Sequence, residues 1–140
     1  MKGLFAIILF CSCVSISKTK TQQLPGWLKG NFDDDYGMSY TVSDSVFVME
    51  GAARYRILQW NEKEQYLLAQ NDTSNKSDKG LYTRIDYMQF TGMEPFTWGY
   101  CFTVFNAPTL AAALKAAAAD RANPRTGCNG YPFSRMKRRG

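Results

Sequence analysis

The chain has 140 residues, of which 45% are hydrophobic, and its formal net charge is +5. This length favours one domain and suffices to bury a core without metal ions or many disulfides. Because the sequence contains no histidine, it excludes a Ser-His or Cys-His nucleophile pair. Outside the C-terminal residues the charges are mixed in sign, which argues against a nucleic-acid partner.

The N-terminal residues have the pattern of a secretory signal peptide. An apolar run, Leu4–Phe10, is followed by small residues at Ser15 and Ser17, three positions and one position before a cleavage site. We therefore predict a signal peptide over residues 1–17 and a secreted or periplasmic protein, with no transmembrane span in the mature chain because the run is short. The alternative is an outer-surface lipoprotein that carries a lipid anchor on Cys13.

A flexible lead-in over residues 18–24 precedes a single domain predicted over residues 25–136. In this domain, short segments alternate between apolar and polar residues, and turn-forming residues separate them. The clearest early alternation places Tyr36, Met38, Tyr40 and Val42 on one face. Closely spaced strands of this kind are typical of an antiparallel meander.

The strongest strand signal is a hairpin over residues 81–105, with turn-forming residues at 91–95. Its first strand places Tyr82, Arg84 and Asp86 on one face, because residues two apart in a strand point the same way. If this face lines a barrel or cleft, the charged pair could hold a polar ligand group. If the face is outside, the two residues form an ordinary surface ion pair.

A helix is predicted over residues 108–122, capped by Asn106, because the segment is rich in alanine and ends at a proline. The segment 125–136 has neither a strand period nor a helix period and should fold back onto the body through its aromatic residues. Residues 137–140 are expected to be a basic, solvated tail.

Two cysteines remain after the predicted signal peptide, Cys101 and Cys128. In an oxidising compartment an even pair in a small domain most simply forms one disulfide. Two cysteines without histidine do not suffice for a zinc site, so we predict no metal.

Other chemical motifs are sparse. Residues 33–35 form a cluster of three aspartates, but the twelve-residue calcium-loop pattern is absent, and we interpret the cluster as a soluble turn. The sequence has no phosphate-binding loop, no dinucleotide fingerprint and no nucleophile elbow, so we predict no cofactor and assign no catalytic residue. A hydrolase that pairs Asp86 with Glu94 or with one of the three aspartates remains conceivable.

The order of these parts resembles the lipocalins and the wider calycin barrels. Gly26-Trp27 is similar to the Gly and Trp at the start of a lipocalin barrel, and Asp86-Tyr87 is similar to a second lipocalin motif. A bridge between Cys101 and Cys128 would be similar to the disulfide that ties the C-terminal segment of many lipocalins to the barrel. Seven strands are readable, whereas lipocalins have eight.

The predicted fold is mainly β, an antiparallel meander that closes into a barrel or a strongly curved sheet, with one C-terminal helix packed on it. The predicted function is non-enzymatic binding of a small apolar or amphipathic ligand in an aromatic-lined cavity. The candidate ligand-binding residues are Tyr36, Tyr40, Tyr82, Arg84, Asp86 and Trp98. The alternative is a protein-binding module, such as an inhibitor of a secreted enzyme, that uses the segment 125–136; a carboxylate-dependent hydrolase ranks third.

Overall fold

The computed structural model describes residues 23–140. The predicted signal peptide, most of the lead-in and the possible anchor at Cys13 lie outside the described residues. Within them, eight antiparallel strands form a closed barrel in which the strand order follows the chain. The predicted class, a mainly antiparallel barrel with one helix packed on it, is confirmed. No helix in this part of the chain is long and apolar enough to span a membrane.

The barrel begins after a single 3-10 turn, Gly26–Leu28. The strands are β1 (Gly30–Asp34), β2 (Ser39–Val42), β3 (Val46–Met49), β4 (Ala53–Asn61), β5 (Tyr66–Asn71), β6 (Tyr82–Gln89), β7 (Phe96–Ala107) and β8 (Ser134–Arg138). One helix, α1 (Leu110–Lys115), lies between β7 and β8. The hairpin predicted over residues 81–105 is the β6–β7 pair.

The interior of the barrel is packed with aromatic rings. Tyr100 lies at its centre, with ring centroids 5.6 Å from Tyr40, 5.1 Å from Phe47 and 5.1 Å from Phe102. These pairs have the edge-to-face geometry that aromatic rings prefer. At one end Trp27 covers the core, with its ring 6.3 Å from that of Trp98. The alternation along each strand therefore fills most of the barrel rather than leaving it hollow.

A β-bulge in β4 changes which residues face inward. The pairing with β5 shifts register between Ile57 and Gln59, so the residue between them, Leu58, is exposed. An extra residue in one strand reverses the alternation beyond it. Trp60 consequently packs against the core instead of sharing the outer face of Arg54 and Leu58, as uninterrupted alternation predicts.

Helix α1 is much shorter than the helix predicted over residues 108–122. Thr109, not Asn106, caps it by accepting a hydrogen bond from the Ala112 amide at 3.0 Å. The helix ends early because Arg84 on β6 donates to the carbonyl of Leu114 at 2.9 Å and to that of Ala116 at 3.2 Å. Its inner side packs against the outer face of β5 and β7 through Ala113 and neighbouring apolar residues.

The eighth strand occupies residues that were predicted to be irregular or a solvated tail. β8 pairs with β7 and with β1, so that it closes the barrel. Its inward residue Met136 is fully buried, and Arg138 stacks on the Phe32 ring at 4.9 Å. Beyond the strand, Arg139 forms ion pairs with Asp33 and Glu50. The basic C-terminal residues are therefore part of the sheet and its edge contacts.

The predicted disulfide between Cys101 and Cys128 is present. It joins β7 to the segment that runs from the end of α1 to β8, residues 116–133, which we call the return segment. Because stable disulfides form in oxidising environments, the bridge indicates a non-cytoplasmic compartment.

A tight chain crossing in the return segment gives a stability prediction. A Cβ atom at Gly127 would lie 1.9 Å from the Asp120 carbonyl oxygen and 2.7 Å from the Asn123 carbonyl oxygen. These are backbone atoms that cannot rotate away, so we expect Gly127→Ala to lower the free energy of unfolding by about 1–3 kcal/mol. Gly26→Ala is the matched control, since nothing lies within 4 Å of its added methyl group. Urea denaturation midpoints that are equal for the two variants would contradict the prediction.

Candidate functional site

The structure divides the six predicted ligand-binding residues among three regions. Tyr40 and Trp98 point into the filled centre of the barrel, and each is only 1% exposed. Tyr36 lies in the β1–β2 turn, where it is 68% exposed. The remaining three lie on the outer face of β6, so no single cavity contains all six.

Tyr82, Arg84 and Asp86 share a face, as the period of two predicts, but that face is outside the barrel and covered. Helix α1 and the return segment lie over it, so that Asp86 is fully buried and Arg84 is 5% exposed. Neither alternative considered from sequence, an inward ligand-facing pair or an exposed surface pair, describes this arrangement.

Asp86 is the centre of a buried ionic cluster that also contains Arg84, Thr103 and Arg121. Its Oδ1 atom lies 3.1 Å from Nη2 of Arg84 and 3.1 Å from Nη2 of Arg121. Its Oδ2 atom accepts hydrogen bonds from the Thr103 hydroxyl and, at 3.2 Å, from the Ala119 amide. Both carboxylate oxygens are thus occupied by donors of the protein itself.

The two arginines of this cluster connect the return segment to the barrel. Arg121 donates from Nε to the Tyr87 carbonyl at 2.9 Å and from Nη2 to the Gln65 carbonyl. Arg84 holds the end of α1 through the carbonyl bonds described above and stacks on the Tyr66 ring at 4.3 Å. The cluster therefore fixes the position of the return segment, which no regular secondary structure stabilises before β8.

A second buried network fills the barrel near the β1–β2 turn. The Tyr40 hydroxyl donates to Oδ2 of Asp34 at 2.7 Å. The Tyr100 hydroxyl lies 2.7 Å from the Tyr40 hydroxyl. The other oxygen of Asp34 accepts from the backbone amides of Tyr36 and Met38, each at 2.8 Å. Burial raises the pKa of Tyr100 to about 12 and also raises the pKa of Tyr40. These phenols remain neutral in ordinary buffers, so neither of them serves as a base.

The buried phenols predict a loss of stability in alkali. Burial raises the pKa of Tyr87 as well as that of Tyr100 to about 12, whereas tyrosine in an unfolded chain titrates near 10. Between these values the unfolded chain has released protons that the folded chain still holds, so stability falls as the pH rises from about 10 to 12. Urea denaturation at a series of pH values should show this slope, and Tyr100→Phe should reduce it. If the pH dependence of stability is unchanged in Tyr100→Phe, the Tyr100 phenol does not contribute to the loss of stability in alkali.

One end of the barrel contains a cavity, which we call the mouth pocket. It has a volume of about 320 Å³ and opens between the β3–β4 turn and the loop that joins β5 to β6. Its lining residues are Met49, Ala52, Ala53, Tyr55, Asn71, Asn75, Lys76, Ser77, Asp78, Phe102 and Phe105. The pocket therefore has an aromatic and aliphatic interior with a polar rim.

The floor of the mouth pocket is formed by Tyr55 and Phe102, whose ring centroids lie 4.9 Å apart. Both rings pack on Phe47 of the core, at 6.3 and 6.0 Å, so the floor is supported from below. Burial and the nearby Asp78 carboxylate raise the pKa of Tyr55. The polar groups of the pocket therefore include a neutral phenol at the floor and, at the rim, both a carboxylate and the ammonium group of Lys76.

The rim of the mouth pocket is held by two asparagines. Asn75 donates to the Arg54 carbonyl at 2.9 Å and accepts from the Arg54 amide at 2.8 Å. Asn71 donates to the carbonyls of Asp78 and Phe105, at 2.9 and 2.7 Å. The polar β5–β6 loop is thus tied to β4 and β7, and the pocket is pre-formed.

None of the six predicted site residues lines the mouth pocket. The sequence did contain a signal for two rings of this pocket. The period of two places Tyr55 on the same face as Ile57 and Phe102 on the same face as Tyr100, which predicts that both rings point inward. The sequence did not show at which end the barrel is filled, because that depends on the size and tilt of rings from several strands.

No protein-family model, curated protein or solved structure matches this chain. The closed eight-stranded barrel with its short helix is consistent with the resemblance to lipocalins, at the level of fold. Within residues 23–140, no group of three or more His, Cys, Asp or Glu side chains is placed to hold a metal ion.

Proposed function

We propose that the protein is an exported, non-enzymatic binding protein that holds a small apolar or amphipathic ligand in the mouth pocket. The observation that carries this proposal is the pre-formed aromatic cavity at the end of an otherwise filled barrel. Small-molecule sites are mostly apolar clefts of about 300–1,000 Å³ with a few polar groups that orient the ligand. At about 320 Å³ the mouth pocket suits a single ring system or a short chain.

Four of the five carboxylates named in the hydrolase hypothesis are engaged in structural contacts, which supports binding over catalysis; the fifth, Glu94, lies exposed in the β6–β7 turn. Asp33 accepts from the Ser39 hydroxyl at 2.7 Å and pairs with Arg139. Asp34 belongs to the tyrosine network, and Asp35 pairs with Arg135 at 2.8 Å. Asp86 is enclosed by its own cluster. A general acid or base must instead reach a substrate with a free oxygen.

The test is an NMR titration of the protein with indole, an apolar ring with one N–H donor. We expect shifts of the amide resonances of Tyr55, Asp78 and Phe102, which surround the pocket. Ala53→Phe places a ring in the pocket and should weaken binding at least severalfold. The matched control is Ala111→Phe on the exposed side of α1, which should bind indole as the original protein does.

Two results would contradict the proposal. One is an indole titration that leaves the resonances of the mouth pocket unshifted. The other is equal indole affinity in Ala53→Phe and Ala111→Phe. Native mass spectrometry of the protein from its exported fraction gives an independent check, since a retained small molecule would identify the ligand class.

A further inference from the structure

A second and larger cavity lies on the outside of the barrel, and we call it the outer cleft. It has a volume of about 730 Å³. It lies between three parts of the chain: the β1–β2 turn, the β6–β7 turn, and the return segment together with the start of β8. Its lining residues are Asp35, Tyr36, Phe90, Met93, Pro124, Arg125, Pro132, Phe133 and Arg135. The outer cleft shares no lining residue with the mouth pocket.

Three aromatic side chains, Tyr36, Phe90 and Phe133, line the outer cleft. The Phe90 ring approaches β7 closely because the strand has a glycine there: a Cβ atom at Gly99 would lie 2.6 Å from Cζ of Phe90. Phe133 is buried, whereas Tyr36 and Met93 are among the exposed large apolar residues of the structure. Exposed apolar side chains that border a concave site are typical of ligand-binding surfaces.

The charges in the outer cleft leave one positive group in excess. Arg135 is paired with Asp35 at 2.8 Å and stacks on the Phe96 ring at 4.7 Å. Within residues 23–140, no carboxylate lies within 4.0 Å of the charged nitrogens of Arg125. Because a guanidinium can bind a carboxylate through two parallel hydrogen bonds, Arg125 favours an anionic group on the occupant.

The part of the cleft that carries Arg125 is held in place by several bonds. The Phe133 amide donates to the Pro124 carbonyl at 2.9 Å, which joins the two ends of the loop between them. The disulfide at Cys128 fixes this loop to β7, and Arg121 fixes the chain just before it. A pre-ordered site loses less entropy when it binds a ligand, so affinity is greater than for a mobile loop.

We propose that the outer cleft is a second binding site, specific for a small aromatic carboxylate whose ring lies among Phe90, Phe133 and Tyr36 and whose carboxylate pairs with Arg125. The cleft volume is in the range of small-molecule sites. The single excess charge selects a monoanion over a neutral or cationic ligand of the same shape. The mouth pocket is lined by both Lys76 and Asp78, so it carries no such excess charge.

The test compares 2-naphthoate with 2-naphthamide, which has the same ring system but no charge. In NMR titrations of the whole protein we expect 2-naphthoate to shift the resonances of Phe90, Arg125 and Phe133 and to bind more tightly than the amide. Arg125→Gln should weaken 2-naphthoate binding about twofold to fivefold, as expected for a solvated ion pair. It should leave the affinity for 2-naphthamide unchanged, and Arg125→Lys should retain part of the preference for the anion.

The matched control is Arg56→Gln, on the outer face of β4 across the barrel from β8. It should bind 2-naphthoate as the original protein does. Equal affinity for the acid and the amide, no effect of Arg125→Gln, or shifts confined to Tyr55 and Phe102 would each overturn the proposal. Ala53→Phe, which blocks the mouth pocket, should leave 2-naphthoate binding intact. The proposal for the outer cleft and the proposal for the mouth pocket can therefore be contradicted independently of each other.

Discussion

Asp86→Asn should be the most damaging single substitution considered, with a loss of about 3–5 kcal/mol in the free energy of unfolding. The variant keeps the shape of the side chain but removes the negative charge that faces Arg84 and Arg121. One of these arginines is almost completely buried, and a buried charge without a partner is strongly unfavourable. Urea denaturation measures the loss.

The matched control for this substitution is Asp33→Asn, because Asp33 also pairs with an arginine but lies at the surface. Exposed ion pairs contribute little to stability, so this variant should denature close to the original protein. Hydrogen exchange gives a second measurement: in Asp86→Asn the amides of residues 116–123 should lose protection before those of β2 and β3. Equal midpoints for the two Asp→Asn variants would show that the Asp86 cluster is not needed for stability.

Replacement of Cys101 and Cys128 together by alanine should lower the free energy of unfolding by about 3.5 kcal/mol, from the chain entropy of a loop of this length. The bridge closes a loop across a sequence separation of 27. Without it, the return segment is held by the Asp86 cluster and by the pairing of β8. We therefore expect the variant to fold but to lose much of its affinity for 2-naphthoate, while indole still binds in the mouth pocket.

The original protein treated with a reductant provides the control for this second prediction. Its urea midpoint should fall to that of the double variant, and the double variant itself should not respond to reductant. If reductant leaves the midpoint of the original protein unchanged, the disulfide does not form in solution or does not contribute to stability.

Local patterns predicted the fold well wherever one strand face is clearly apolar. The hairpin of β6 and β7 was predictable because Ile85 and Tyr87 alternate with polar residues, and the same alternation could have placed Arg84 and Asp86 outside. β8 was not predictable, because Met136 is its one fully buried apolar residue and basic residues surround it. Its role in closing the barrel depends on neighbours that are distant in sequence.

The remaining differences have tertiary causes. The alanine content favours a helix to residue 122. Arg84 instead caps the helix by donating hydrogen bonds to the carbonyls of Leu114 and Ala116. The chain then turns, and Arg121 binds the barrel through the Tyr87 carbonyl. Similarly, the bulge at Leu58 leaves no mark in the sequence. The candidate sites were the least predictable, since both cavities are formed by turns and loops that approach one another only in the closed barrel.

The order of strands around the barrel has a consequence for biosynthesis. β8 is the last strand in the sequence, and it alone joins β7 to β1. Until the residues of β8 have left the ribosome, β1 and β7 of a nascent chain each have one unpaired backbone edge. Unpaired edges of this kind can pair with other chains. A product that stops before Ser134 would keep both edges permanently. The barrel can therefore close only when residues 134–138 are available for pairing with β7 and β1.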